Sequence, residues 1–193
     1  MLISAPSQAG KSTFVRKLID SAPVMIDPVP NNFFWCYSLP QPWMSQTADK
    51  ITFHKGLIDL DKIPPNSLLV IDDLQNSLSE KDSKIATQTS HHRNINVIYI
   101  TQNLFYKGKA HRDLSLNANY VVLFKNPRDK MQASALGRQI FPGKADFFQK
   151  AYEDATRDPF SYLLIRLRQT DHDSLRLSSK VFPGEKIAFY LPA

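Results

Sequence analysis

The sequence has little cysteine and no long hydrophobic run. Its 193 residues include one cysteine, Cys36, which excludes an internal disulfide framework and a metal site built from several cysteines. No segment is long and apolar enough to span a membrane, and the first residues lack the basic and then apolar order of a secretory signal. Internal repeats and low-complexity segments are also absent from the sequence. We therefore expect a soluble intracellular protein from a reducing compartment.

A glycine-lysine-serine triplet follows the first apolar run. Leu2 and Ile3 begin a predicted strand, small residues form a turn up to Gly10, and Lys11 and Ser12 begin a predicted helix. This order is typical of a phosphate-binding loop, where backbone N–H groups and the positive end of the helix attract the β- and γ-phosphates of a nucleotide. Lys11 would contact the phosphates, and the Ser12 hydroxyl would bind Mg²⁺. The predicted nucleotide-binding residues are Ala5, Pro6, Ser7, Gln8, Ala9, Gly10, Lys11, Ser12 and Thr13.

A second motif argues against a chance match of the triplet in a basic loop. Residues 68–71 form an apolar run that ends in Asp72 and Asp73, as expected of a buried parallel strand whose carboxyl end faces the phosphates. Asp72 would hold Mg²⁺ through a water, and Asp73 would orient or deprotonate the water that attacks the γ-phosphate. The alternative is that both carboxylates only cap the loop after a core strand. Together the two motifs predict an ATPase with ATP as substrate and Mg²⁺ as cofactor.

Predicted strands and helices alternate along the chain, whose length suits one α/β domain. Strands are expected over residues 33–37, 51–53, 67–72, 96–102, 120–124 and 162–167, and helices over 11–20, 79–92, 127–140 and 144–156, with a short helix within 104–116. This alternation predicts an α/β P-loop NTPase fold of the RecA/FtsK type, a mainly parallel central sheet flanked by helices on both faces. Residues 1–170 would form the ATPase core, and residues 171–193 a C-terminal tail that is irregular or packed on the core.

Gln102 ends a third predicted strand, at the sheet edge where the ligand is expected. Its amide would contact the γ-phosphate or the attacking water and report whether the nucleotide is intact; capping a turn is the alternative role. Arg93, just before this strand, is a candidate to stabilise the transition state in a neighbouring subunit, or it is a solvated surface residue. Arg128 and Arg138 are rival candidates for the same role.

Positive charge exceeds negative charge in this sequence. Lys and Arg number 24 against 18 Asp and Glu, which gives a formal charge of +6. The excess permits a polyanionic partner but does not require one, because ATP is itself an anion. Lys107, Lys109 and Arg112 form a basic cluster just after two aromatic residues, a combination suited to contacting the phosphates of DNA. The alternative is a solvated loop without a ligand.

Three segments resemble the FtsK/HerA-type genome-packaging ATPases of double-stranded DNA viruses and Polinton-like elements. They are residues 91–105 (HHRNINVIYITQNLF), 116–117 (LN) and 122–130 (VLFKNPRDK), and the resemblance extends over residues 1–182, including 141–143 (FPG) and 151–156 (AYEDAT). It implies an ATP-driven motor that moves double-stranded DNA into a capsid. It also implies a homo-oligomeric ring, a hexamer or pentamer, with active sites between subunits. The implied partners are DNA and the viral capsid or portal vertex, in the cytoplasm or nucleus of an infected cell where virions assemble.

The resemblance also implies roles for individual residues. It assigns the phosphate and Mg²⁺ contacts to Lys11 and Ser12, the acidic pair to Asp72 and Asp73, and the strand-end glutamine to Gln102, and it favours Arg93 as the finger that acts on a neighbour. Two positions depart from the family pattern, since Ala5 replaces the first loop glycine and Asp73 stands where many relatives have Glu. A shorter carboxylate reaches less far, so we expect the water to be positioned differently and turnover to be slow.

Two other functions also fit parts of the sequence. A superfamily 3-type viral replication helicase has similar motifs but typically spaces them more closely than the 61 residues (72 minus 11) between Lys11 and Asp72. A non-hydrolysing nucleotide-binding assembly protein is the third interpretation. The presence of Lys11, Ser12, Asp72 and Asp73 argues against it, because a protein that only binds nucleotide does not need this acidic pair. The sequence therefore favours a DNA-packaging ATPase.

Overall fold

The computed structural model describes residues 1–74 and 93–192, which are built around one mixed sheet of nine strands. In chain order the strands are β1 (Leu2–Ser4), β2 (Asn32–Tyr37), β3 (Thr52–Lys55), β4 (Ser67–Asp72), β5 (Asn96–Thr101), β6 (Tyr120–Phe124), β7 (Tyr162–Arg166), β8 (Leu177–Ser179) and β9 (Ala188–Tyr190). In space their order is β3-β2-β4-β5-β1-β6-β7-β8-β9. Strands β1 to β6 are parallel, and β7, β8 and β9 add an antiparallel edge.

Helices cover both faces of this sheet. The α-helices are α1 (Lys11–Asp20), α2 (Ala22–Met25), α3 (Lys109–Leu116), α4 (Met131–Ile140) and α5 (Ala145–Ala155), and short 3₁₀ helices span Pro42–Gln46, Leu60–Lys62 and Asp173–Leu175. Helix α1 packs on one face through Phe14 and Val15. Helices α3, α4 and α5 pack on the other through residues such as Leu114, Leu136 and Phe148. The predicted fold class is therefore confirmed.

The central strands are apolar throughout because both of their faces are covered. All six residues of β4 are buried, and β5 is buried from Ile98 to Thr101. A parallel strand with helices on each side has no solvated face, so its sequence is a continuous apolar run rather than an alternating one. The parallel register brings the carboxyl ends of β1, β4 and β5 to the same edge of the sheet. That edge is where a ligand binds in folds of this kind.

None of the helices in the described part of the chain combines the length and the hydrophobicity needed to cross a bilayer.

Most predicted elements lie within two residues of the observed ones, and one differs. The helix expected to begin at Pro127 begins instead at Met131, because the Asn126 side chain accepts hydrogen bonds from the backbone N–H groups of Arg128 and Asp129 and closes a turn there. The helix predicted over residues 79–92 lies outside the described residues.

Within the predicted C-terminal tail, residues 177–179 and 188–190 form two strands that extend the sheet. Strand β8 pairs with β7, where Leu177 lies opposite Ile165, and β9 pairs with β8. Leu177 is fully buried, so one leucine within a polar sequence is the apolar anchor of β8. Strands from both sides of residue 170, the predicted boundary of the core, belong to the same sheet.

Candidate active site

The loop between β1 and α1 has the backbone geometry of an anion-binding site. Gln8 and Gly10 adopt positive φ angles of 62° and 98°, which turn the chain into the first turn of α1. A helix begins with backbone N–H groups that have no partner within the helix, and its dipole places positive charge there. The first turn of α1 contains Lys11 and no acidic residue. The loop therefore fits a bound phosphate group.

The Lys11 side chain folds back over this loop. Its ammonium donates hydrogen bonds to the carbonyl oxygens of Ala5, at 2.7 Å, and Pro6, at 2.8 Å. Burial lowers the pKa of Lys11, and the carboxylates of Asp72 and Asp73 oppose that shift. The Lys11 ammonium therefore interacts electrostatically with both carboxylates of the acidic pair. Such a group is available to neutralise the charge of a triphosphate.

Asp72 ends strand β4 and is only 7% exposed. Its Oδ2 accepts a hydrogen bond of 3.2 Å from the indole N–H of Trp35, in the neighbouring strand β2. Burial raises the pKa of Asp72 to about 6, the Trp35 bond opposes this, and Asp73 raises it further. A buried carboxylate that is held on one oxygen is preorganised, and a bound cation would favour its charged form.

Asp73 turns away from the strand direction and meets Gln102. Its φ of 54° lies in the left-handed region, and its backbone N–H donates to the carbonyl of Ile100 at 3.3 Å. Its Oδ2 accepts a hydrogen bond of 2.9 Å from Gln102 Nε2. A non-glycine residue in this conformation is uncommon, and Asp adopts it more often than most residues do. The two strand ends thus place a carboxylate and an amide in direct contact.

One cavity of about 830 Å³ joins these parts, a volume in the range of small-molecule sites. Of the predicted site residues, those that line it are Ser7, Gln8, Gly10, Lys11, Ser12, Thr13, Asp72, Asp73 and Gln102. Ala5 and Pro6 contribute indirectly, through their carbonyl bonds to Lys11. Ala9 lies within the loop without lining the cavity. The three sequence segments that predict the site therefore meet at this one cavity.

The donor set suits Mg²⁺ better than a transition metal. The Ser12 hydroxyl and the Asp72 carboxylate supply hard oxygen ligands, and Mg²⁺ typically uses one or two such groups together with water and phosphate oxygens. Among residues 1–74 and 93–192, no cluster of three or more His, Cys, Asp or Glu side chains could hold a metal ion by itself. Cys36 is buried in β2, and burial raises the pKa of its thiol. These residues fit a cation that arrives with a phosphate ligand.

Solved structures with a similar fold exist, whereas comparison of the sequence finds no match. The chain matches no protein-family model and no curated protein sequence. Its fold resembles the genome packaging NTPase B204 of Sulfolobus turreted icosahedral virus 2 in complex with ATPγS, with a TM-score of 0.57 and 10% identity over 100% of this chain and 96% of that one. It also resembles B204, the DNA-packaging ATPase of Sulfolobus turreted icosahedral virus, with a TM-score of 0.56 and 12% identity over 100% and 96% of the chains. At these identities the likeness establishes the P-loop NTPase fold.

Arg93 does not join the cavity. It precedes β5 and so lies at the amino ends of the strands, opposite the phosphate-binding loop. Its guanidinium donates to the carbonyls of Asp61, at 3.2 Å, and Ile63, at 2.5 Å, and more weakly to Leu60. Within one chain these bonds give Arg93 a structural role, since they fix the turn that leads into β4. Its action on a neighbouring subunit stays a prediction.

The rival arginines are placed differently. Arg128 follows β6 in the loop before α4, at the same edge of the sheet as the phosphate-binding loop, and is exposed. Arg138 lies in the last turn of α4 and is also exposed. Neither residue lines the cavity. Both side chains are accessible to a partner, as a residue that acts across an interface must be.

The predicted basic cluster spans the end of a loop and the start of a helix. Lys107 lies in the loop after β5, while Lys109 and Arg112 belong to α3, and all three are exposed. Helix α3 is anchored by the buried His111, whose ring nitrogens bond the Leu104 carbonyl at 3.1 Å and the Tyr99 hydroxyl at 3.3 Å. The cluster therefore lies on a fixed element beside the edge that carries the cavity. DNA binding there stays a prediction.

Sequence reasoning missed two groups of residues that shape the site. Trp35 holds Asp72, and its position within an adjacent buried strand was a usable signal, because a buried indole N–H needs an acceptor. Phe160, Phe182 and Glu185 line the end of the cavity remote from the acidic pair. They come from a loop and a tail whose sequences contain no recognisable motif, so only the folded sheet brings them to the phosphate-binding loop.

Proposed function

We propose that this protein is an ATPase whose active site is the cavity at the carboxyl edge of the parallel strands. The observation that carries the proposal is the convergence of Lys11, Asp72, Asp73 and Gln102 on that cavity. Three segments from distant parts of the chain supply a phosphate-binding loop, an acidic pair and a strand-end amide. An assembly protein that only binds nucleotide would not need the last two.

The role of each residue in hydrolysis follows from the chemistry of its side chain. The N–H groups of the loop and Lys11 bind the β- and γ-phosphates, and Ser12 and Asp72 hold Mg²⁺, which neutralises phosphate charge when bound. Asp73 orients the water and accepts its proton. The water oxygen forms a bond to the γ-phosphorus, and the bond from that phosphorus to the bridging oxygen breaks, which gives ADP and phosphate. Gln102 holds the Asp73 carboxylate in place for this step.

We further propose that hydrolysis drives double-stranded DNA into a viral capsid. Two observations support this function: the fold likeness to B204, which is described as a genome packaging NTPase and a DNA-packaging ATPase, and the sequence resemblance to FtsK/HerA-type packaging ATPases. The exposed Lys107, Lys109 and Arg112 supply cations for the DNA phosphates. The working form is a pentameric or hexameric ring at a capsid or portal vertex, at the sites of virion assembly in the infected cell.

The test of this function combines oligomeric state with DNA movement. Size measurement with and without a non-hydrolysable ATP analogue and duplex DNA should reveal a ring that forms or tightens when both are present. With ATP, the ring should displace a third strand annealed to the duplex, and Lys11→Ala rings should not. A monomer that is indifferent to analogue and DNA, and that hydrolyses no ATP, would favour the nucleotide-binding assembly protein instead.

A further inference from the structure

The cavity has two chemically different ends, one on each side of β1. Asp72, Asp73 and Gln102 follow β4 and β5, on one side of β1 in the sheet. On the other side, where β6, β7 and β8 lie, the lining is mostly aromatic. The aromatic residues at that end are Phe14, Phe124, Phe160, Tyr162 and Phe182. On the acidic side, Tyr37 and Trp43 also line the cavity, beyond the acidic pair at the end of β2 and after it. The acidic end is where hydrolysis must occur, so the rest of a bound nucleotide extends along the phosphate-binding loop towards the aromatic end.

Phe160 differs from the other aromatic residues at this end because it is exposed. Its side chain is 69% exposed, and its φ of 64° is in the left-handed region, a conformation that costs a bulky residue free energy. The ring lies against the phosphate-binding loop, since a Cβ atom added to Gly10 would be 3.3 Å from Phe160 Cδ1. Phe160 thus presents an aromatic face to solvent directly beside the phosphate-binding loop.

The loop that carries Phe160 is held in place on both sides. The Ser161 hydroxyl donates to the Asp158 carbonyl at 2.7 Å, and Lys125 donates to the Arg157 carbonyl at 3.3 Å. Strand β7 begins directly afterwards at Tyr162, whose hydroxyl accepts from the backbone N–H of Val181 at 3.1 Å. The exposed ring is therefore presented by a fixed turn, so little conformational entropy is lost when a flat ligand stacks on it.

The C-terminal segment forms the wall beside this ring. Glu185 accepts a bond of 2.5 Å from Lys17 of α1 and another of 3.2 Å from the backbone N–H of Phe182. The Lys17 ammonium also lies 4.4 Å from the centre of the Phe182 ring. Lys17 and Glu185, the charged side chains beside Phe182, are thus already bound to each other. They are not free to read the hydrogen-bonding edge of a ligand.

We infer that the nucleobase stacks on Phe160 and that this chain recognises the base by stacking rather than by hydrogen bonds to its edge. The inference rests on the proposed ATPase function and adds its nucleobase specificity. Every base has an aromatic face, so a stacking platform tolerates different bases. The expected substrate class is therefore nucleoside triphosphates, with little discrimination between adenine and guanine.

Direct binding measurements test this independently of hydrolysis. Calorimetry with Mg²⁺ and ADP, GDP or inorganic triphosphate would be applied to the wild type, Phe160→Ala and Phe160→Trp. Loss of the platform should weaken ADP binding about tenfold, which corresponds to about 1.4 kcal/mol. Inorganic triphosphate, which has no base, should bind the wild type and Phe160→Ala equally, and Phe160→Trp should retain ADP affinity. Phe189→Ala, which removes a partly exposed ring on β9 outside the cavity, is the matched control and should change the affinity for none of the three ligands.

Each contrary result has a separate meaning. Unchanged ADP affinity in Phe160→Ala would overturn the inference. So would an equal loss for ADP and inorganic triphosphate, because Phe160 would then only support the loop at Gly10. GDP binding far weaker than ADP binding would overturn recognition by stacking alone. A wild-type protein that binds none of the three ligands would overturn the proposed ATPase function itself.

Discussion

The indole N–H of Trp35 donates a hydrogen bond of 3.2 Å to Asp72 Oδ2. The bond crosses from β2 to β4 and is buried, so water does not replace it. It leaves the other oxygen of the carboxylate for a cation. The Trp35 ring is held in turn by Trp43, whose ring centre lies 5.0 Å away in an edge-to-face arrangement. Trp35 is therefore a positioning residue for the predicted metal ligand.

The first prediction concerns the loss of that bond. Trp35→Phe keeps an aromatic ring in the core but removes the donor, so Asp72 loses a bond to a charged group. The Mg²⁺ concentration for half-maximal hydrolysis should rise about tenfold, since such bonds contribute about 1.5–3 kcal/mol. Trp43→Phe is the comparison variant, because it keeps a ring beside Trp35 and leaves the donor to Asp72 intact, although it loses the bond to Gln41 and alters the contact with the Arg16 guanidinium. Equal Mg²⁺ dependence in both variants would contradict the role of Trp35.

The second prediction concerns the contact between Gln102 and Asp73. Gln102→Leu removes the bond of 2.9 Å to Asp73 Oδ2, so the carboxylate loses one of the contacts that orient it towards its water. We expect kcat to fall about 10- to 100-fold with little change in KM, because orientation of a catalytic group acts on the transition state. Steady-state kinetics against Asn103→Ala, which alters the neighbouring strand-end amide, measure this. An unchanged kcat would show that Asp73 needs no such support.

The third prediction separates the candidate arginines. Arg93→Ala should destabilise the protein by about 1–2 kcal/mol, because the part-buried Ile63 carbonyl and the exposed Asp61 carbonyl of the turn before β4 lose a charged donor. Arg128→Ala and Arg138→Ala remove exposed side chains and should change the stability by no more than about 0.5 kcal/mol. Denaturant unfolding of the three variants measures these differences. Equal stabilities would contradict the structural role of Arg93.

Mixed rings then identify which arginine acts on a neighbour. Each arginine variant would be combined with subunits inactivated by Lys11→Ala. In a mixed ring, an intact phosphate-binding loop of one subunit meets the intact arginine of the next, so the true finger variant should regain part of its activity. Arg93 is the candidate favoured by the sequence resemblance. No recovery for any of the three in stable mixed rings would contradict a finger at these positions.

The fourth prediction concerns stability and pH. Burial raises the pKa of Asp72 to about 6, so the folded protein binds this proton more tightly than the unfolded chain does. The free energy of unfolding without nucleotide and Mg²⁺ should therefore fall as pH rises from about 4 to 6, by up to about 3 kcal/mol. In Asp72→Asn the side chain cannot ionise, so the free energy of unfolding of this variant should not show this decrease. Urea unfolding of both proteins at pH 4 to 7 measures it, and parallel pH profiles would contradict it.

The sequence predicted the parts of the fold that have a repeating physical cause. A strand covered on both faces must be apolar throughout, which is why 68–71 and 97–100 were recognisable. The phosphate-binding loop was recognisable because close backbone approach demands small residues before Lys11. Parallel strands bring their carboxyl ends together, so the meeting of Asp73 and Gln102 at one edge followed from the topology.

The remaining parts depend on contacts between distant segments. Helix α4 begins later than the position of Pro127 suggests, because the Asn126 side chain closes a turn that includes Pro127. Strand β8 forms because Leu177 finds a buried place opposite Ile165, a pairing that is invisible within a polar tail. Phe160 lies beside the phosphate-binding loop because β7, which begins two residues later, pairs with β6 next to β1. Such features carry no local periodicity, so sequence patterns do not reveal them.

The measurement that most directly tests the central claim is ATP hydrolysis by the wild type, Lys11→Ala and Asp73→Asn, each with and without duplex DNA. We predict that duplex DNA stimulates the wild type. Lys11→Ala should lose nucleotide binding and hydrolysis, whereas Asp73→Asn should still bind ATP but hydrolyse it at least about 100-fold more slowly, since it lacks the group that takes the proton from water. Full turnover by Asp73→Asn, or a wild type that hydrolyses no ATP with or without DNA, would contradict the account.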